Sequence, residues 1–130
     1  MAGGDRIEVE APLEGDFAAV IRIVIAGIAE RGGFGFEELD DLQLAVERLL
    51  ATTDAGGMVR LRFEVSDHSV RLRIGPLRES ALAEALQGPD PRPGTLTLRR
   101  VLETVVDSYG LEIEPSGEIL VRLEKLKREL

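Results

Sequence analysis

Over residues 6–11, Ile7 and Val9 alternate with Glu8 and Glu10, the period of a half-buried strand, and Pro12 ends the run. From 16 to 31 the period changes. Phe17, Val20, Ile21, Val24, Ile25 and Ile28 recur on one face of a helix that the Gly32-Gly33 pair stops. A second helix is expected from about Glu37, with Glu37, Glu38, Asp40 and Asp41 at its electropositive start. Leu39, Leu42, Val46, Leu49 and Leu50 form its buried stripe, and Gly56-Gly57 closes it. Val59, Leu61, Phe63 and Val65, then Val70, Leu72 and Ile74, alternate with polar residues on either side of an Asp67-His68-Ser69 turn, which makes a hairpin. Pro76 ends that ladder. Residues 79–86 can form a short helix, 88–94 (GPDPRPG) a loop, and 95–107 a helix with Leu98, Val101, Leu102 and Val105 on one side. Residues 111–114 and 118–123 are expected to make a last hairpin turning at Pro115-Ser116-Gly117, with the tail 124–130 frayed.

The order is strand, two helices, two strands, one or two helices, two strands. Helices with one apolar stripe each need one shared apolar surface, so the pattern predicts a single α+β domain over 1–130. Its form is a two-layer α/β sandwich, a mixed five-stranded sheet with helices on one face. The outer sheet face then carries Arg60, Arg62, Arg71, Arg73 and Arg122, read as a solvated face balanced by carboxylates such as Glu64 and Glu124.

Composition narrows the chemistry. With no Cys and one His in 130 residues, thiolate zinc sites, Cys nucleophiles and most His-based metal or triad chemistry are excluded. His68 reads as a turn residue, the acidic run at 37–41 as a charged helix start, and no metal site is expected. The net charge of −8 lies wholly in residues 1–56, where 12 acids face 4 arginines; 12 acids and 12 bases balance over 57–130. That distribution disfavours nucleic acid and suits a basic protein partner. The lack of a long apolar run or a signal-like N-terminus leads us to expect a cytoplasmic protein with no membrane association.

The runs IEVEAP, IRIVIAGIAERGGF and EELDDLQLAVE, dense over 7–47 and thinner to about Leu126, resemble the anti-sigma factor serine kinases of the GHKL (Bergerat-fold) ATPase superfamily. The resemblance implies a protein that holds a sigma factor inactive, phosphorylates a serine on an antagonist protein with ATP and Mg²⁺, and works by partner switching as a homodimer. It also implies three nucleotide motifs, and this sequence departs from each.

The family places a catalytic Glu four residues before a Mg²⁺-binding Asn on the second helix; the ungapped match puts Arg48 and Thr52 there. A guanidinium cannot accept the serine proton, and a hydroxyl is a poor substitute for the amide oxygen. Slipping by one residue offers Glu47 as a substitute acid but sets Ala51 at the metal position. The family's adenine-binding Asp-x-Gly corresponds to Arg78-Glu79-Ser80, and of its phosphate-cradling Gly-x-Gly only Gly94 is left. The expectation is a degenerate pocket at Thr52, Arg78, Ser80 and Gly94 that needs no cofactor, with no catalytic residue.

Two functional readings follow, with a purely structural dimerisation domain as a distant third. One is a regulator acting by association alone. The other is an active ATP- and Mg²⁺-dependent serine kinase with divergent ligands. For partner contact the sequence singles out Arg22, which shares the helix face opposite the buried stripe with Ala19, Ile23 and Ala26, flanked by Ala18 and Ala29. Small side chains allow close approach, and a guanidinium offers a fork for a carboxylate. In the family the matching Arg contacts the sigma factor and the antagonist. Ile23, Leu44 and Leu120 fall off the buried stripes, and this surplus of apolar surface is read as a homodimer contact.

Overall fold

A computed structural model describes residues 4–12, 17–52, 57–77, 86 and 97–128. The elements are β1 (Asp5–Pro12), α1 (Phe17–Gly32), α2 (Phe36–Thr52), β2 (Met58–Val65), β3 (Ser69–Leu77), α3 (Leu98–Val105), β4 (Ser108–Ile113) and β5 (Ile119–Leu126). Of the stretch 79–86 only Leu86 is described, helical and buried, and the 88–94 loop lies outside the described residues.

The strands form one sheet in the order β1-β2-β3-β5-β4. It was expected to be mixed, but every ladder is antiparallel. The connections explain this. Two successive helices between β1 and β2 return the chain to the end of β1 from which it left, so β2 runs back along it. β3 and β4 do run in the same direction, and a single crossover would have paired them in parallel, but β5 lies between them.

Strand alternation sets the two faces. Val59, Leu61, Phe63 and Val65 of β2 and Val70, Leu72 and Ile74 of β3 point inward with Val121 and Leu123 of β5, all buried. Ile21, Ile25 and Ile28 of α1, Leu42, Val46 and Leu49 of α2, and Leu98, Val101, Leu102 and Val105 of α3 cover them in one core cluster. Helix ends are set locally. Gly33 leaves α1 with φ +73, a left-handed conformation that glycine adopts without a Cβ clash. At the start of α2, Glu38 reaches back to the Gly35 backbone N–H, half of a capping box. Thr97 caps α3, its hydroxyl accepting from Arg100 N at 3.2 Å.

Two expectations are corrected here. Leu120 is not surplus surface; it is 7% exposed on the outer face of β5, lying against Gly75, where a Cβ would come within 2.2 Å of its Cδ2. The tail does not fray at 124 either, since β5 runs to Leu126 and the residues around it tie down α1, α2 and α3. Lys125 Nζ donates to Val105 O at the end of α3, Lys127 Nζ to Gly32 O at the end of α1, and Arg128 N to Glu38 at the start of α2. Cations at helix C-termini and a carboxylate at an N-terminus match the helix dipoles.

The outer sheet face is a lattice of ion pairs. Arg60 meets Glu10 at 3.3 Å, Arg62 meets Glu114 at 2.7 Å, Arg71 meets Glu124 at 2.9 Å, and Arg73 meets both Glu64 and Glu112. Arg122 lies 3.9 Å from Glu112.

Candidate functional site

α1 and α2 lie side by side over the sheet, and their seam brings together the residues the sequence singled out for two different roles. Val46 and Leu49 of α2 are fully buried, which turns Glu47 and Arg48, half-buried, toward opposite flanks of that helix, because successive residues diverge by about 100°. Glu47 faces α1. Its carboxylate accepts a hydrogen bond from Arg22 Nε, and the Gln43 side-chain amide, one turn earlier, donates to the Arg22 backbone carbonyl at 3.0 Å. The Glu47 carboxylate, with Asp40 as a further negative charge nearby, holds the Arg22 guanidinium proton more tightly than usual.

Arg22 is exposed, as expected of a docking residue, and so are Ala19 and Ile23, the latter 72% exposed. Ala26 is half-buried and Ala29, expected to flank this face, is buried, so the surface around Arg22 is narrower than the helical wheel implies. Leu44, 40% exposed and one turn before Glu47, adds an apolar side chain from α2. The Arg22–Glu47 contact was not legible in the sequence. In the sequence Glu47 reads only as a substitute acid; the available signal is its i, i+4 spacing from Gln43 on one flank of α2.

The nucleotide positions are less completely described. Arg48 lies one turn before Thr52, the last residue of α2, so the ungapped match expected from the sequence keeps the one-turn helical spacing of the family's motif. Arg78, Ser80 and Gly94 lie outside the described residues. Glu47 is engaged by Arg22, so the carboxylate oxygen that a serine hydroxyl would need already accepts a guanidinium hydrogen bond. Among the described residues, no group of three or more His, Asp or Glu is placed to hold a metal ion. A groove of about 610 Å³ opens on the outer sheet face between Met58, Pro76 and Leu120. Its arginines, Arg60, Arg62 and Arg73, already meet carboxylates, which removes the charge an anionic ligand would seek.

A five-stranded sheet covered on one face by helices, with an N-terminal helix pair packed across it, defines an α/β sandwich of the GHKL type. No family model matches the chain. Among curated proteins it is 29% identical to the serine-protein kinase RsbW of Staphylococcus epidermidis, over 96% of this chain and 89% of the relative. It is 26% identical to RsbW of Halalkalibacterium halodurans, over 96% and 86%. It is 23% identical to RsbW of Bacillus licheniformis, over 96% and 88%. Similarity to these serine-protein kinases over nearly the whole chain supports a place in the RsbW/SpoIIAB-like family.

Proposed function

We propose that this chain is a cytoplasmic bacterial regulator that holds a sigma factor by direct association and releases it when an antagonist protein competes, without catalysing phosphoryl transfer. The observation that carries this reading is the state of the two candidate acid positions. Arg48 stands where the family has its carboxylate, and Glu47, the one substitute, is bound to Arg22. A pocket with neither a general base nor an amide ligand for Mg²⁺ retains binding surfaces but not the chemistry. The protein acts as a homodimer, engages no nucleic acid or membrane directly, and requires neither ATP nor Mg²⁺. Among the described residues no helix is long and apolar enough to cross a membrane.

Titration calorimetry with ATP·Mg²⁺ and ADP tests the pocket, and transcription in vitro with purified sigma factors tests the regulation. The expected outcome is inhibition of one sigma factor at stoichiometric protein with no nucleotide present. A micromolar nucleotide constant, or inhibition that requires ATP, overturns it.

The second reading, an active serine kinase, is favoured by the names of the relatives, each a serine-protein kinase. Transfer of labelled phosphate from ATP to a serine of the antagonist would establish it.

A further inference from the structure

Glu47 lies next to the catalytic position of the family, but its geometry serves a different surface. The Arg22 guanidinium donates from Nε alone to Glu47, the one hydrogen-bond partner of that side chain among the described residues, and the side chain stays 57% exposed. A guanidinium held by Nε has its plane fixed and its four Nη hydrogens left for a second acceptor. Glu47 itself is more sheltered, 27% exposed, with Gln43 beside it fixing the α1 backbone. The pair therefore has a covered half that anchors and an open half that presents. Exposed Ile23, next to Arg22, and Leu44, one turn before Glu47, supply apolar contacts on the two helices.

We propose that Glu47 is a positioning residue: it holds the Arg22 guanidinium so that the Nη edge receives a carboxylate of the bound sigma factor, which seats apolar side chains on Ile23 and Leu44. This rests on the reading of Arg22 as a docking residue and adds how it is prepared. A free arginine loses rotamer freedom when a partner binds it, and Glu47 takes up that cost in the unbound protein. The occupant is an acidic, partly apolar segment because the one open donor set of the seam is cationic and its flanks are hydrocarbon. The surrounding acidity of residues 1–56 steers a partner that is basic overall, while Arg22 fixes its register.

Two measurements test this separately. In the unbound protein, the ¹⁵N-labelled Arg22 Nε–H should give a resonance protected from solvent exchange in the parent and in Glu47→Gln, which keeps an acceptor oxygen, and an unprotected one in Glu47→Ala. An unprotected signal in the parent overturns the clamp. Binding is then measured against the purified general-stress and sporulation-type sigma factors of the same genome, using the one the parent inhibits. Glu47→Ala should weaken binding about three- to tenfold, the ordering cost of one long side chain. Glu47→Gln should stay within about twofold of the parent, and Glu47→Ala should add nothing in an Arg22→Ala background. Tighter binding by Glu47→Ala would mean that Glu47 shields Arg22, and equal loss in Ala and Gln would mean that the partner reads the charge of Glu47; either overturns the proposal, as does no change in Glu47→Ala. Full affinity in Arg22→Ala instead sinks the docking reading itself, a failure the resonance distinguishes from loss of the clamp.

Discussion

Lys125 Nζ lies 3.0 Å from a carboxylate oxygen of Asp41 and 2.7 Å from the carbonyl oxygen of Val105, so one ammonium near the end of the chain joins β5 to α2 and α3. The lysine is 7% exposed, on the inward face of its strand, and it closes the core where an apolar residue would leave both acceptors without their donor. Lys125→Met should therefore lower stability by about 1–3 kcal/mol, less than for a fully buried pair because Asp41 keeps access to water. Urea unfolding of the two proteins checks this.

Glu38 gives a pH dependence. Burial by itself would raise its pKa, but backbone N–H groups of Gly35, Arg128 and Glu38 itself donate to the carboxylate, and the balance lies below the ordinary value of 4.5. A depressed acid contributes stability that is complete above its unfolded pKa and is lost as pH falls through the folded one. Stability of the parent should hold down to about pH 4.5 and fall below it, whereas Glu38→Gln should start lower at neutral pH and decline less in acid. Thermal melts from pH 7 to 3 measure both limbs; parallel curves would contradict the assignment.

Gly75 is required by space. A methyl group there would lie 2.2 Å from Leu120 Cδ2 and 2.8 Å from the Ile119 carbonyl oxygen, and the second of these is backbone. Gly75→Ala should destabilise by about 1–3 kcal/mol through overpacking. Leu120→Ala in the same chain should recover part of this loss, as chemical denaturation would show.

Nucleotide should leave the melting temperature where it is. A ligand present at a hundred times its dissociation constant adds about 2.7 kcal/mol to the native state, a shift no melt would miss. ATP·Mg²⁺ at millimolar concentration should give none. A clear rise would restore the kinase reading.

Light scattering should show a species of twice the chain mass. Leu120 is buried, whereas Ile23 and Leu44 are exposed, both on the α1–α2 face. A homodimer that also holds a sigma factor on these residues must make its dimer contact elsewhere, so Ile23→Glu should leave the dimer intact while weakening sigma-factor binding. A monomer in the parent would remove homodimerisation from the proposed function.

The two-layer architecture and most of the core were legible in the sequence because amphipathic period is a property of one segment at a time. Val59, Leu61, Phe63 and Val65 were assigned to the inward face of a strand by alternation alone, and all four are buried. The stripe of α2 was read the same way. So was the resemblance to the anti-sigma kinases, since IEVEAP and EELDDLQLAVE are contiguous runs. Facts that depend on which segments become neighbours were not legible. A lysine in an apolar alternation looks like the fraying end of a strand until Asp41, 84 positions earlier, is placed beside it. Leu120 looks like surplus surface until a glycine on the adjacent strand leaves room for it.

The sequence by itself determined the elements and the sandwich and carried the resemblance to the anti-sigma kinases, because periodicity and contiguous runs are written along one chain. Only the tertiary structure decided that the sheet is antiparallel throughout, that the C-terminal lysines and Arg128 secure the helix ends, and that Glu47 belongs to Arg22. Those outcomes are set by distances between residues far apart in the chain, and a hydrogen bond reaching about 3 Å is fixed only when packing has brought its two ends together.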